Sequence, residues 1–110
     1  MTATMNTIRA ICDKEDIYLF YVPESDFEHH GRHFGMAMNN GESNAVFIRD
    51  KLGKWEELHV SAHEIAHIVM GHLMPNTSKP KAQQEEEAKM FAASFLALSM
   101  FKEYGGGVNE

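Results

Sequence analysis

Cysteine, proline and positive charge are all scarce in this chain. Cys12 is the single thiol among 110 residues, which excludes an internal disulfide and fits a reducing compartment such as the cytoplasm. Cys12 itself reads as a small, half-buried hydrophobe. No run approaches the roughly 18 apolar residues needed to cross a bilayer. The opening Met1-Thr2-Ala3-Thr4-Met5-Asn6 lacks the basic-then-apolar pattern of a secretory leader, so no membrane partner is expected. Ten Lys and Arg stand against sixteen Asp and Glu, a formal charge of −6. The densest basic cluster is only Lys79-Pro80-Lys81, so direct binding to a phosphate backbone is not expected either.

What is present points to one folded unit. A hydrophobic fraction of 44% is ordinary for a globular protein, and 110 residues suit a single domain spanning 1–110. Met5, Ile8, Ile11 and Cys12 recur at helical intervals, which predicts an N-terminal helix within 1–16. A small sheet is expected over 17–49. Ile17 to Val22 is aromatic and β-branched and closes at Pro23; Arg32 to Met38 alternates; Ala45 to Arg49 follows the turn signal Asn39-Asn-Gly-Glu-Ser-Asn44. The last two strands should form a hairpin. The period then changes to 3.6 over 54–73, ending before Pro75, and a second long helix is expected over 80–104, closed by Gly105-Gly-Gly107. The fold class is α+β, with an antiparallel or mixed three-stranded sheet packed on the N-terminal helix and on two antiparallel C-terminal helices.

The chemistry sits in the first of those two helices. His63-Glu64-Ile65-Ala66-His67 puts two imidazoles four residues apart, on one helical face and about 6 Å from each other at Cβ. Such a pair can grip one Zn2+, with Glu64 beside it as a candidate general base. The apolar stripe of Leu58, Ala62, Ile65, Ala66, Val69 and Leu73 occupies a neighbouring arc, so one face serves the core and the other the metal.

A catalytic zinc needs three protein ligands and an open position. A short connector makes the two C-terminal helices antiparallel neighbours. His67 lies about 9 Å below a helix end at Leu73, and Glu87 about 10 Å down the next helix. Glu87 is therefore the expected third ligand, beside the inward stripe of Ala88, Phe91 and Ala92. Glu85, nearer the connector, is the alternative, and Glu86 points further off. The run Glu85-Glu86-Glu87 would also suit a helix N-terminus as a plain solvated acidic patch.

The other histidines are weaker candidates. A row of His59, His63 and His67 spans about 12 Å, too long for one coordination shell, so His59 is expected behind the ligands or on the rim, with no direct role. His72, about 140° round the helix from His67, should be exposed near the connector. Met70 and Leu73 occupy the glycine and third-histidine positions of the extended metzincin pattern, which excludes that subclass. His29, His30 and His33 read as a solvated loop or a groove wall. Tyr18, Tyr21 and His33 are the candidates for stabilising an oxyanion, and nothing in the pattern marks one of them.

The paired motifs, His63-Glu-Ile-Ala-His67 and then Glu87-Ala-Lys-Met-Phe-Ala92 on the following helix, resemble the ImmA/IrrE family of zinc metallopeptidases, over about residues 17–98. The resemblance implies a zincin-like fold, His63, His67 and Glu87 as metal ligands, and Glu64 as catalytic base. It also implies a protein substrate such as a helix-turn-helix repressor of a phage or mobile element. The chain departs from the family pattern at Leu58-His59-Val60-Ser61 and at Leu96-Ala-Leu98-Ser99, which lacks a closing proline. The same donors would accept Mn2+ or Fe2+. The competing expectation is a non-catalytic regulator that uses a closed, four-ligand metal site only to stabilise its fold.

Overall fold

The computed structural model describes residues 5–25, 34–74 and 77–103, with side chains to residue 98. The elements run α1 (Met5–Lys14), β1 (Ile17–Val22), β2 (Gly35–Asn39), β3 (Asn44–Arg49), α2 (Lys54–Val69) and α3 (Lys81–Glu103). The expected α+β architecture is present.

Helix α1 buries Ile8 and Cys12, one turn apart on its inner face. Burial, reinforced by Asp13, raises the Cys12 thiol above its ordinary pKa and keeps it protonated and inert. Asp16, in the left-handed region at φ 56, turns the chain into β1. The sheet is mixed, ordered β1-β3-β2, with β1 parallel to β3 and β2 antiparallel to it. Central strand β3 buries Val46 and Ile48 completely. The β2–β3 hairpin is set by side-chain caps. Asn40 Oδ1 accepts from the amides of Glu42 (3.0 Å) and Ser43 (2.8 Å), and Gly41 supplies a φ of +95.

Helices α1 and α2 pack on one face of this sheet, and α3 packs along α2. The core gathers Ile8 and Cys12 from α1, Ile17 from β1, Val46 and Ile48 from β3, Leu58 and Ile65 from α2 and Ala92 from α3. Each of the two long helices carries a pair of alanines four apart with no exposed surface: Ala62 and Ala66, and Ala88 and Ala92. Side chains this small let the two backbones approach closely. Phe91, from the expected inward stripe of α3, packs against the core together with Phe95 and Leu96.

Two features of α2 differ from the sequence reading. The helix ends at Val69, four residues before Leu73. Gly71, at φ +75, then closes a Schellman cap: its amide donates to the Ile68 carbonyl (3.0 Å) and the His72 amide to the His67 carbonyl (2.9 Å). Val69, the last residue of the helix and expected on its apolar stripe, is 42% exposed.

Strand β2 approaches α2 closely at Gly35. A Cβ at this position would stand 2.6 Å from Val60 Cγ1, 3.1 Å from Glu64 Cγ and 3.3 Å from the Phe47 carbonyl oxygen. Only glycine lets the strand lie this near the helix. Gly35→Ala is therefore expected to lower stability by about 1–3 kcal/mol, with Val60→Ala in the same chain recovering part of the loss. Urea unfolding of the single and double variants checks this. Equal midpoints for wild type and Gly35→Ala would contradict the close packing.

Candidate metal centre

Helix α2 presents the histidines in a fixed frame. Its first turn carries Glu56 and Glu57, which suit the positive end of the helix dipole. Ser61, buried, donates back to the Glu57 carbonyl at 2.7 Å. The His63 and His67 rings stand 5.0 Å apart, centroid to centroid. His67 is buried and His63 half-buried.

The carboxylate that meets them is Glu85. One of its oxygens lies 3.3 Å from His63 Nε2 and the other 3.2 Å from His67 Nε2. Ligand atoms of His63, His67 and Glu85 all fall within 4.8 Å of one another. Atoms bonded to zinc at 2.0–2.1 Å in a tetrahedron stand about 3.3 Å apart, and each imidazole Nε2 lies at about that separation from one of the two Glu85 oxygens. The donors are the two neutral imidazoles and one carboxylate expected of a hydrolytic zinc site. The residues present fit the metal.

Glu87, the third ligand expected from the sequence, stands elsewhere. It accepts from Lys79 Nζ at 2.8 Å and Gln83 Nε2 at 3.1 Å, and one of its oxygens lies 2.8 Å from His72 Nε2. Lys79, His72 and Gln83 together hold its carboxyl down at about 2. The displacement follows from the early end of α2. With the helix closing at Val69 instead of Leu73, His67 lies about 6 Å nearer the connector, and the carboxylate at its level is the one nearer the start of α3. The signal that could have revealed this was Gly71, a C-cap residue by type.

Glu64 lines a cleft of about 250 Å³ together with His63 and His67, Gly35 to Ala37 of edge strand β2, and Lys81, Gln84 and Glu85 of α3. His59 is half-buried, its ring 6.3 Å from that of His63, and it is not among the residues that line the cleft. His72 is not exposed as expected; its side chain is wholly buried and its Nδ1 lies 2.9 Å from His67 Nδ1. Of the oxyanion candidates, Tyr21 donates to Glu57 at 2.5 Å and Tyr18 is 60% exposed, and neither lines the cleft. His29, His30 and His33 lie outside the described residues. No helix among the described residues is long and apolar enough to cross a membrane.

Residues 12–98 match the family model described as the IrrE N-terminal-like domain, a peptidase family. No curated protein and no solved structure gives a match.

Burial lowers the pKa of both His63 and His67 below 6.5, with Glu85 pulling the other way and not reversing it. Both imidazoles are therefore neutral near pH 7, the state a metal requires. A depressed histidine pKa means the unfolded chain binds more protons below 6.5, so stability falls as pH drops from 6.5 towards the folded values. Metal-free protein should melt at a lower temperature at pH 5.5 than at pH 7, and replacing both histidines by Gln should flatten the slope. Thermal unfolding across this range checks the sign, and a melting temperature that rises on acidification would contradict it.

Proposed function

The chain belongs to the IrrE N-terminal-like peptidase family, and on that premise we propose that it is a zinc-dependent endopeptidase. His63, His67 and Glu85 hold the ion and Glu64 is the general base. The observation that carries this reading is the convergence of two imidazole Nε2 atoms on the two oxygens of Glu85 at 3.3 and 3.2 Å, at the wall of a cleft that Glu64 also lines.

His63, His67 and Glu85 would hold a zinc ion that would supply a Lewis acid for the scissile carbonyl and lower the pKa of a water molecule. With that ion bound, Glu64 would act as the general base, taking a proton from a water molecule in the cleft and passing it to the departing amine. Its position directly after the first ligand keeps its carboxylate beside the metal without spending it on coordination. Strand β2 contributes backbone. At the edge of the sheet among the described residues, it lines the cleft with the histidines and offers main-chain donors and acceptors to an extended peptide, and Gly35 keeps that backbone close to Glu64.

The substrate in this reading is a protein, and the family resemblance favours a helix-turn-helix repressor. The net charge of −6 sets nucleic acid aside as a direct partner. The same donor set accommodates Mn2+ and Fe2+, so the metal in the cell follows availability.

Purified protein is expected to carry one zinc per chain. Glu64→Gln should keep that zinc while slowing cleavage of a helix-turn-helix repressor by about 10²-fold or more. Glu85→Ala should lose both metal and activity. Metal analysis alongside gel-based cleavage separates the outcomes. A Glu64→Gln variant that cuts at the parental rate would overturn the base assignment, and full zinc binding without any cleavage by the parent would favour a metal-stabilised regulator.

A further inference from the structure

Four groups lie in a row through the junction of α2, the connector and α3. Glu85 contacts His67 Nε2 (3.2 Å), His67 Nδ1 contacts His72 Nδ1 (2.9 Å), and His72 Nε2 contacts Glu87 (2.8 Å). Both ends of this row are carboxylates, which only accept. A neutral imidazole carries one N–H, so two neutral rings bring two hydrogens to three contacts. With both rings in that state, one contact is short of a hydrogen. A cation between Glu85 and His67 Nε2 removes the shortage, because His67 Nδ1–H then donates to His72 and His72 Nε2–H donates to Glu87. Every bond in the row then has one direction.

We propose that His72 and Glu87 are positioning residues for the metal centre: anchored by Lys79 and Gln83, Glu87 orients His72, and His72 holds His67 in the tautomer whose Nε2 lone pair faces the ion. This deepens the zinc reading and rests on it. Three independent features support the assignment. The His72 side chain has no exposure, so its ring cannot turn to water for a partner. The Schellman cap at Gly71 fixes the backbone of His72 against that of His67, amide to carbonyl at 2.9 Å, and this cap brings the residue after its glycine over the residue four before the glycine. Lys79 and Gln83 occupy Glu87 from the connector and from one turn earlier on α3, which leaves its carboxylate aimed at His72. A ligating histidine with its far nitrogen so tethered binds metal more tightly, typically by 10- to 100-fold.

The test compares zinc affinity, measured by competition with a fluorescent chelator, across full-length variants. His72→Leu fills similar space without donor or acceptor and should weaken zinc binding about 10- to 100-fold. His72→Gln can accept from His67 through its carbonyl and donate to Glu87 through its amide, and should restore affinity to within a few-fold of the parent. Long-range ¹H–¹⁵N spectra of zinc-loaded parent should show His67 protonated at Nδ1. An affinity for His72→Leu equal to the parent's, or a His72→Gln variant as weak as His72→Leu, would overturn the proposal. Should His72→Leu fail to fold, Glu87→Ala at its partly exposed helix position carries the same test. Loss of the 10- to 100-fold size supports the proposal. No change overturns it, and a loss as complete as that of Glu85→Ala would mean that Glu87 ligates directly and would also overturn it. Failure of the underlying zinc reading looks different: neither the parent nor any variant would bind zinc.

Discussion

The close packing of α2 and α3 is the constraint from which the candidate metal centre follows. Neither helix holds the site alone: His63 and His67 come from one, Glu85 from the other. Buried Ala62 and Ala66 on α2, and Ala88 and Ala92 on α3, let the two helices lie near enough for imidazole and carboxylate to meet. Leu58, Ile65, Val46 and Ile48 fix α2 against the sheet at the same time, so the histidines are mounted on an element that cannot rotate without opening the core. The depth at which the helices meet is then set by where α2 stops.

That stop is made by Gly71. Its left-handed backbone ends α2 at Val69, and the chain folds back so that His72 returns to the end of the helix it has just left. A side chain that a continuing helix would have pointed into solvent is instead buried beside His67. One glycine thus decides which carboxylate stands level with the histidines, which way His72 faces and what Glu87 can reach. Polar groups drawn into such a junction must be satisfied. Among the described residues, no buried side-chain nitrogen or oxygen lacks a partner.

The parts of this arrangement written in local pattern were legible in the sequence. Helical spacing marked Ile8 and Cys12, the stripe from Leu58 to Ala66, and Ala88 with Phe91 and Ala92 as inward-facing, and the α+β class followed from the change of period after β3. The His63–His67 spacing and Glu64 needed no structure to be noticed. What was not legible depended on long-range geometry or on one special backbone angle. Which carboxylate stands level with the two histidines turned on a helix end four residues earlier than the apolar pattern implied. The parallel pairing of β1 with β3 depends on a crossover that no local signal encodes. Gly35 stood inside an ordinary alternating strand, and only its approach to Val60 and Glu64 explains why a side chain is absent there.

A zinc-edge anomalous difference map of zinc-loaded crystals tests the centre most directly. One peak is predicted, about 2.0–2.2 Å from His63 Nε2, His67 Nε2 and a Glu85 oxygen, with Glu87 remaining on His72 and Lys79. A peak bonded to Glu87 with Glu85 turned away, or no peak against the two histidines, would contradict it.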